Sequence, residues 1–204
     1  LAGAFDIVGN GLVSSLVLKL KTEVDEIQEL ILDTLAGCLC VEAFEALASG
    51  AVPILKEKLT HQSEAIRSKA ARSLLGISTV LCVRRVSLWK GRTLFGVLVS
   101  LLEDSDVEVR ADAAGALMFA TITTQGKYAA FNADAITPLL KLVSDESSKV
   151  RLNAIKSLTM LSETPEGRKV LLDHVDLFRE HLNDPSEAVS RAAKIAIKVI
   201  EWKP

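Results

Sequence analysis

A set of apolar positions recurs along this sequence at intervals of about 40 residues, and this period limits what the chain can fold into. A branched residue stands in each of five units, separated by steps of 39, 43, 41 and 39 residues. The same four steps generate four more columns of apolar or small residues. The five columns are Ile27, Ile66, Val109, Val150 and Val189; Leu16, Leu55, Leu98, Leu139 and Phe178; Leu20, Leu59, Leu102, Val143 and Leu182; Ile31, Ala70, Ala113, Ala154 and Ala193; and Leu35, Leu74, Leu117, Leu158 and Ile197. Such a period is typical of stacked helical repeats, in which each unit buries its apolar face against its neighbours.

Residues 103–120 contain the most regular unit. Ser105 has the chemistry of a helix N-cap, and Glu108 stands three residues later, which is the spacing of a capping box. Apolar or small side chains then follow at helical spacing, at Val109, Ala113, Leu117 and Ala120. The sequence therefore predicts a helix capped by Ser105, with an alanine-rich face that lets another helix approach closely.

Other helix starts are marked by proline, glycine and capping residues. In the last unit we interpret Asp184 as an N-cap, Pro185 as the first helical residue and Glu187 as the capping-box acid. The runs TQGK at 124–127 and PEGR at 165–168 match at a step of 41 residues. These runs predict a short first helix ahead of two longer ones, and hence three helices in a repeat.

The fold class predicted from these patterns is an all-α solenoid of about five repeats in a single domain, 1–204. Hydrophobic residues make up 49% of the chain but aromatic residues only 4%, which favours helices packed through alanine and leucine. Residues 1–7 look like the end of a preceding long helix, so we interpret the chain as the C-terminal part of a longer array. The approximate repeats are 1–40, 41–78, 79–121, 122–162 and 163–204, and the pattern is weakest at 79–92.

Charge and cysteine content exclude several classes of partner. The net charge of −2 gives no overall attraction to nucleic acid or to an anionic membrane. The longest uncharged run, 113–126, is too short to cross a bilayer. The three cysteines, Cys38, Cys40 and Cys82, have no disulfide framework spacing, so we expect reduced thiols and an intracellular protein.

Catalytic and metal-binding motifs are not visible in the sequence. It contains no HExxH, GxSxG, Walker or GxGxxG motif. The histidines His61, His174 and His181 do not stand at metal-ligand spacing from one another or from a cysteine. We therefore expect no catalytic, metal or cofactor site and no small-molecule substrate, and we predict that the protein is not an enzyme.

Two candidate ionic features remain. Asp104 precedes Arg110 by six residues and Asp145 precedes Arg151 by six, with imperfect matches in the other units. We interpret this column as a structural ladder of Asp–Arg pairs that ties neighbouring repeats together.

The second feature is a basic cluster around a tryptophan: Arg84, Arg85, Trp89, Lys90 and Arg92. One interpretation is a secondary surface that binds an acidic partner or nucleic acid, with Trp89 stacking on a base. The other, which we favour, is an exposed connecting helix that buries Trp89 against its neighbours.

The pattern G-x-V-x-x-L-V-x-x-L followed by V-R-x-x-A-A-x-x-L resembles the armadillo repeat family over the whole chain. That resemblance implies a right-handed superhelix whose third helices line a concave surface. In the family, an asparagine column clamps the backbone of an extended peptide and a tryptophan column flanks it. Here the first column reads Gly37, Gly76, Phe119, Met160 and Val199, and the second reads Asp33, Arg72, Gly115, Lys156 and Ile195.

Both peptide-binding columns are thus altered. The positive charge of Arg72 and Lys156 has the wrong sign for basic peptides, while Phe119 and Met160 can bury partner surface but cannot make the amide hydrogen bonds. We predict that Arg72, Phe119, Lys156 and Met160 form a concave protein-binding face. The alternative is that Phe119 and Met160 turn inward and fill the core.

A more specific resemblance is to armadillo proteins of the radial spokes of motile cilia and flagella. It rests on runs spread along the chain, namely 11–17, 66–72, 126–130, 151–154, 158–161, 165–169 and 200–204. It implies a non-enzymatic scaffold in the axoneme, a cytoplasmic structure, whose partners are other radial spoke subunits. The alternative is a cytosolic armadillo adaptor or transport factor that binds peptides or proteins reversibly.

Overall fold

The computed structural model describes residues 2–83 and 92–202, with side chains described for 3–78 and 95–202. The chain divides into two compact units, Leu1–Leu88 and Trp89–Pro204. The helices of the first unit are α1 Ala2–Gly9, α2 Val13–Lys19, α3 Asp25–Val41, α4 Phe44–Ala48, α5 Ala51–Lys58 and α6 Glu64–Val83. Within this unit α3 packs along α6, while α1 and α2 pack on α3.

The second unit repeats the same plan. Its helices are α7 Arg92–Ser100, α8 Val107–Ala120, α9 Thr124–Asn132, α10 Ile136–Leu142, α11 Ser148–Leu161, α12 Pro165–Leu172, α13 Val175–Glu180 and α14 Glu187–Ile200. Short 3₁₀ turns follow α7 at Leu101–Glu103 and α13 at His181–Asn183. The long helices α8, α11 and α14 pack side by side in that order.

The helices confirm the predicted all-α repeat fold, since residues 2–83 and 92–202 contain no β-strand. Three helices form each complete repeat: α4 to α6, α9 to α11 and α12 to α14. The short first helices predicted from TQGK and PEGR are α9 and α12. Most of the basic cluster, from Arg84 to Lys90, lies outside the described residues, so its predicted helix cannot be compared.

The predicted columns form most of the core, although Leu16, Leu182 and Ile197 are half-buried and one residue is exposed. Ile66, Val109, Val150 and Val189 are completely buried, but Ile27 in the same column is 40% exposed. The column of small residues is buried throughout, at Ile31, Ala70, Ala113, Ala154 and Ala193. The predicted repeat register is therefore correct. Ile27 is exposed because no described side chain fully covers it in the first repeat.

The capping residue of α8 was predicted wrongly. Its N-cap is Asp106, whose carboxylate accepts a hydrogen bond from the Val109 backbone nitrogen at 2.9 Å. Ser105 precedes the cap, because the Asp104 carboxylate already turns the chain by accepting from the Asp106 nitrogen at 3.0 Å. Glu108 does not close a capping box and instead accepts a hydrogen bond from Lys149 of α11 at 2.7 Å.

The start of α14 needs the same correction. Its N-cap is Ser186, so Asp184 and Pro185 lie before the helix. The Asp184 carboxylate accepts from the Ser186 nitrogen at 2.8 Å, which repeats the arrangement of Asp104 ahead of α8. In both turns an aspartate two residues before the N-cap accepts a hydrogen bond from the N-cap nitrogen and so orders the turn. The sequence pattern of a capping box does not distinguish this aspartate from the N-cap itself.

Threonine caps and close-packed glycines define the short helices α9 and α12. The hydroxyls of Thr123 and Thr164 each accept a hydrogen bond at 3.1 Å, from the Gly126 and Gly167 nitrogens respectively. A Cβ atom at Gly126 would lie 1.8 Å from the carbonyl oxygen of Ala120, which ends α8. The turn from the long helix into the next short helix therefore requires glycine at this position.

The predicted Asp–Arg ladder is confirmed in the second unit. Arg110 Nε donates to Asp145 Oδ2 at 2.9 Å. Arg151 donates to both carboxylate oxygens of Asp184, from Nε at 2.9 Å and from Nη2 at 2.8 Å. Each arginine thus binds the aspartate of the following repeat, not the carboxylate six residues before it.

Each ladder arginine also donates hydrogen bonds to the turn that precedes its own helix. Nη1 of Arg151 donates to the carbonyl oxygens of Asp145 and Glu146, both at 2.9 Å. Arg67 makes the equivalent pair of bonds to His61 and Gln62, both at 2.9 Å. A single guanidinium therefore joins the turn before one long helix to the turn before the next, using the fixed geometry of its donors.

This ladder predicts a dependence of stability on pH. Hydrogen bonds from Arg151, together with those from the Ser186 nitrogen and His181, hold the pKa of the Asp184 carboxyl well below its usual range against the opposing effect of burial. Because the folded state favours the carboxylate, this stabilisation is present above the unfolded pKa of about 3.9 and is lost as the pH falls below it. We expect Asp184→Asn to cost about 1.5–3 kcal/mol at neutral pH and to weaken the loss of stability on acidification.

The measurement is urea unfolding at several pH values, with Asp173→Asn as a control at an exposed aspartate. The control should follow the parent protein at every pH. If Asp184→Asn lost stability below about pH 4 as steeply as the parent, the carboxylate of Asp184 would not contribute to acid sensitivity.

Candidate protein-binding groove

The second unit contains an apolar groove across its three long helices. The groove has a volume of about 260 Å³. Its lining is apolar apart from one lysine and one threonine: Met118 and Ile122 at the end of α8, Lys156, Thr159 and Met160 on α11, and Ala192 and Ile195 on α14. We call this surface the α8–α11–α14 groove.

Helical spacing explains why these side chains converge. On α11 the lining residues stand at i, i+3 and i+4, and on α14 they stand at i and i+3, so each set shares one helix face. Thr159 and Ala192 are buried and form the floor. Ile122 and Ile195 are 41% and 57% exposed and form the walls. Exposed apolar side chains grouped in this way mark a binding site more often than scattered ones.

One lysine lines the groove, and a second is exposed one turn beyond a lining residue of α14. Lys156 is exposed within the groove, and Lys198 is exposed on α14 one turn after Ile195. Among the described residues no ion pair involves either lysine. By contrast Lys149, at the start of α11, binds Glu108 and Asp112. Lys156 and Lys198 therefore remain available to carboxylates of a partner.

The structure brings together two of the four predicted concave-face residues. Lys156 and Met160 meet in the α8–α11–α14 groove. Phe119 is half-buried on α8 and does not line the groove, and Arg72 is half-buried on α6 in the other unit. The predicted set as a whole stays a prediction.

Sequence reasoning missed Met118, Ile122, Thr159 and Ala192 as lining residues. Met118 lies one position before the family's asparagine column, so the column analysis selected Phe119 instead. Ile195 stands in the tryptophan column, as Lys156 does, but of the two only Lys156 was predicted to be a site residue. Both residues line the groove. The spacing of Met118 and Ile122, four residues apart at a helix end, was the signal available.

The secondary basic surface cannot be placed. Arg84, Arg85, Trp89 and Lys90 lie outside the described residues, and Arg92 begins α7 without a described side chain.

Two of the three histidines lie beside aspartates, and the two cysteines with described side chains are not joined in a disulfide. His61 Nε2 lies 3.5 Å from an Asp25 carboxylate oxygen, and His181 Nδ1 lies 3.0 Å from Asp184. Cys38 and Cys40 are free thiols, and burial, followed by the charge of Glu45, raises the pKa of the Cys38 thiol.

In the described part of the chain no group of three His, Cys, Asp or Glu side chains could hold a metal ion. None of the helices in that part combines the length and apolar character needed to cross a membrane.

Known structures share this arrangement of helices. An engineered protein superposes with a TM-score of 0.87 at 23% identity, covering 98% of this chain and 85% of its own. A designed armadillo repeat protein gives 0.83 at 20% identity, with coverages of 97% and 86%. Another, solved in complex with the peptide (KR)4, gives 0.83 at 19% identity, with coverages of 97% and 85%. At this level of identity the matches establish the fold, an armadillo-type solenoid.

A family model describes half of the sequence. The model for HEAT repeats matches residues 97–198, which span the region from α7 to α14. HEAT and armadillo repeats share the stacked long helices seen here, and the three-helix repeats of this chain have the armadillo form. By its repeat period, its helices and this match, the chain belongs to the HEAT repeat family.

Proposed function

We propose that the protein is a non-enzymatic scaffold that binds other proteins through the α8–α11–α14 groove. The observation that supports this function is an apolar groove, about 260 Å³ in volume, on three adjacent long helices. Solenoids of this class expose such extended surfaces because each repeat contacts only its neighbours, which leaves one side of the long helices open. A partner would bury Met160 and Ile195 and pair its carboxylates with Lys156.

The chemistry of the groove favours a folded partner surface or helix over an extended peptide. An extended peptide needs side-chain amides along the long helices to satisfy its backbone. Phe119, Met160 and Val199 occupy those positions and offer none. The (KR)4 peptide is bound by a designed relative, whereas Lys156 would repel a basic peptide here. The alternative function, a transport adaptor for basic peptides, is therefore less well supported.

We further propose that the partners are subunits of the radial spokes of motile cilia and flagella. Support comes from the sequence runs at 126–130, 151–154 and 165–169, which are similar to the radial spoke head 14 homologue, also called the rhabdoid tumour deletion region protein. Each of these three runs contains a residue that joins neighbouring helices: Gly126 and Gly167 pack against the preceding helix end, and Arg151 belongs to the ladder. In this proposal the protein resides in the axoneme.

The experiment images the tagged protein in ciliated cells and compares it with Ile195→Glu. We expect the parent to give an axonemal signal and Ile195→Glu to reduce that signal at least threefold, because the new carboxylate places a charge in the apolar groove. Leu172→Glu is the matched control, since Leu172 is a similarly exposed apolar residue outside the groove. It should localise like the parent.

Two outcomes would contradict separate parts of the proposal. Diffuse signal from the parent would overturn the assignment to radial spokes. Axonemal signal from the parent and an equal signal from Ile195→Glu would exclude the groove as the docking surface. Thermal melts of the purified variants verify folding, and Ile195 is 57% exposed, so its substitution should leave the melting temperature nearly unchanged.

A further inference from the structure

The first unit has an exposed apolar face on α2 and α3. Leu18 of α2 is 53% exposed, and Ile27 and Leu30 of α3 are 40% and 62% exposed. Val24, which precedes α3, is 62% exposed. We call these four side chains the α2–α3 face.

In two later repeats the position equivalent to Leu30 contacts the preceding repeat. Leu30 is equivalent to Lys69, which forms ion pairs with Glu29 and Asp33 of the preceding long helix at 3.4 and 2.8 Å. It is also equivalent to Asn153, which donates to the Ala111 carbonyl oxygen at 2.8 Å.

Of the other positions of the face, that of Ile27 is buried in later repeats, whereas that of Leu18 is exposed. Leu18 is equivalent to Glu57, Ser100, Lys141 and Glu180, which are all exposed, and of these Lys141 binds Glu103 of the preceding repeat at 2.7 Å. Ile27 is equivalent to Val150 and Val189, which are fully buried. Ile27 and Leu30 therefore occupy positions that are buried or contact the preceding repeat elsewhere in the same chain, and here both carry exposed apolar side chains.

Helix α1 occupies part of the space of a preceding long helix. In the interface between α3 and α6, a Cβ atom at Gly76 would lie 3.2 Å from the Leu39 Cβ atom. Gly37 holds the equivalent position on α3, and a Cβ atom there would lie 3.9 Å from the Cβ atom of Ala4 in α1. Thus α1 packs on the C-terminal half of α3, as the end of a preceding long helix would, and leaves Ile27 and Leu30 uncovered.

We infer that the α2–α3 face is a repeat–repeat interface whose occupant is one further helical repeat, with a long helix that runs into α1. The exposure of Ile27 and Leu30 and the equivalence of their positions to an established interface support this inference. The opposite end of the array differs, because α14 exposes Arg191, Lys194 and Lys198. Such a charged surface does not complement an apolar face.

The test adds one designed armadillo repeat ahead of Ala2, with its long helix continued into α1, and compares this fusion with the unfused chain. We expect the added repeat to raise the thermal unfolding midpoint and to reduce binding of a hydrophobic dye. Leu30→Asn should lower the midpoint by about 2–4 °C more in the fusion than in the unfused chain. Leu172→Asn, at an exposed leucine away from the face, should have equal effects in both proteins.

Three results would overturn the inference. One is a midpoint no higher than that obtained when the same repeat is fused after the last residue. Another is an equal effect of Leu30→Asn with and without the added repeat. The third is a stable dimer of the unfused chain in sedimentation velocity that Leu30→Asn dissociates, since a second copy would then be the occupant.

Discussion

Substituting alanine for Gly126 should destabilise the second unit by about 3 kcal/mol or more, which is at the upper end for an overpacked site. The added Cβ atom would lie 1.8 Å from the carbonyl oxygen of Ala120 and 2.8 Å from its carbonyl carbon. These are backbone atoms at the end of α8, so a side-chain rotation cannot relieve the overlap. Helix α9 would have to move away from α8, which would also disturb the cap between Thr123 and Gly126.

The measurement is the free energy of unfolding in urea, with Gly96→Ala as the matched control. Gly96 lies within α7, and a Cβ atom there would meet no other atom within 4 Å. Alanine has a higher helix propensity than glycine, so the control should stabilise the protein by up to about 1 kcal/mol. Stabilisation by both substitutions would show that the approach of α9 to α8 is looser than the structure indicates.

Truncating Leu117 to alanine should also have a large effect, a loss of about 2–5 kcal/mol. Leu117 is completely buried on α8, in the column that also contains Leu74 and Leu158. Its removal leaves a cavity between close-packed helices, because Ala113 and Ala116 cannot expand to fill the space. Unfolding in urea again provides the measurement.

Leu172→Ala is the control for this truncation, since Leu172 is 46% exposed. Its expected effect is within about 0.5 kcal/mol. If the two truncations cost the same, Leu117 would not lie in the core and the repeat register would be displaced.

The repeat register could be predicted because burial depends on a periodic signal. Leu35, Leu74, Leu117 and Leu158 follow one set of steps and are all fully buried. Ile27 follows the same steps yet is exposed. The prediction failed there because a sequence pattern shows which residue can be buried but not which neighbour covers it. The apolar column thus specifies a repeat more reliably than it specifies the end of an array.

Helix caps were harder to predict, for a local reason. Asp104, Ser105 and Asp106 can all accept a hydrogen bond from a nearby backbone nitrogen. The structure uses Asp106 as the cap and Asp104 to order the preceding turn, because both assignments together satisfy two nitrogens. A choice among adjacent capping residues depends on the path of the incoming chain, which the sequence pattern does not contain.

The candidate groove was only partly predictable. Lys156 and Met160 were identified through their columns, and both line the groove. Met118 and Ile122 were not, because their side chains reach the groove from the end of a neighbouring helix. A surface built from three helices depends on how those helices are rotated against one another, and a column treats each position separately.

The ladder has a consequence for how the last repeat unfolds. Arg151 joins the turn before α11 to Asp184 in the turn before α14, so opening of one turn removes hydrogen bonds from the other. In a linear array, such coupling between nearest neighbours suppresses fraying from the end. The final repeat should therefore exchange its amide protons together with the fourth repeat, as one cooperative unit, and not as a separately fraying terminus.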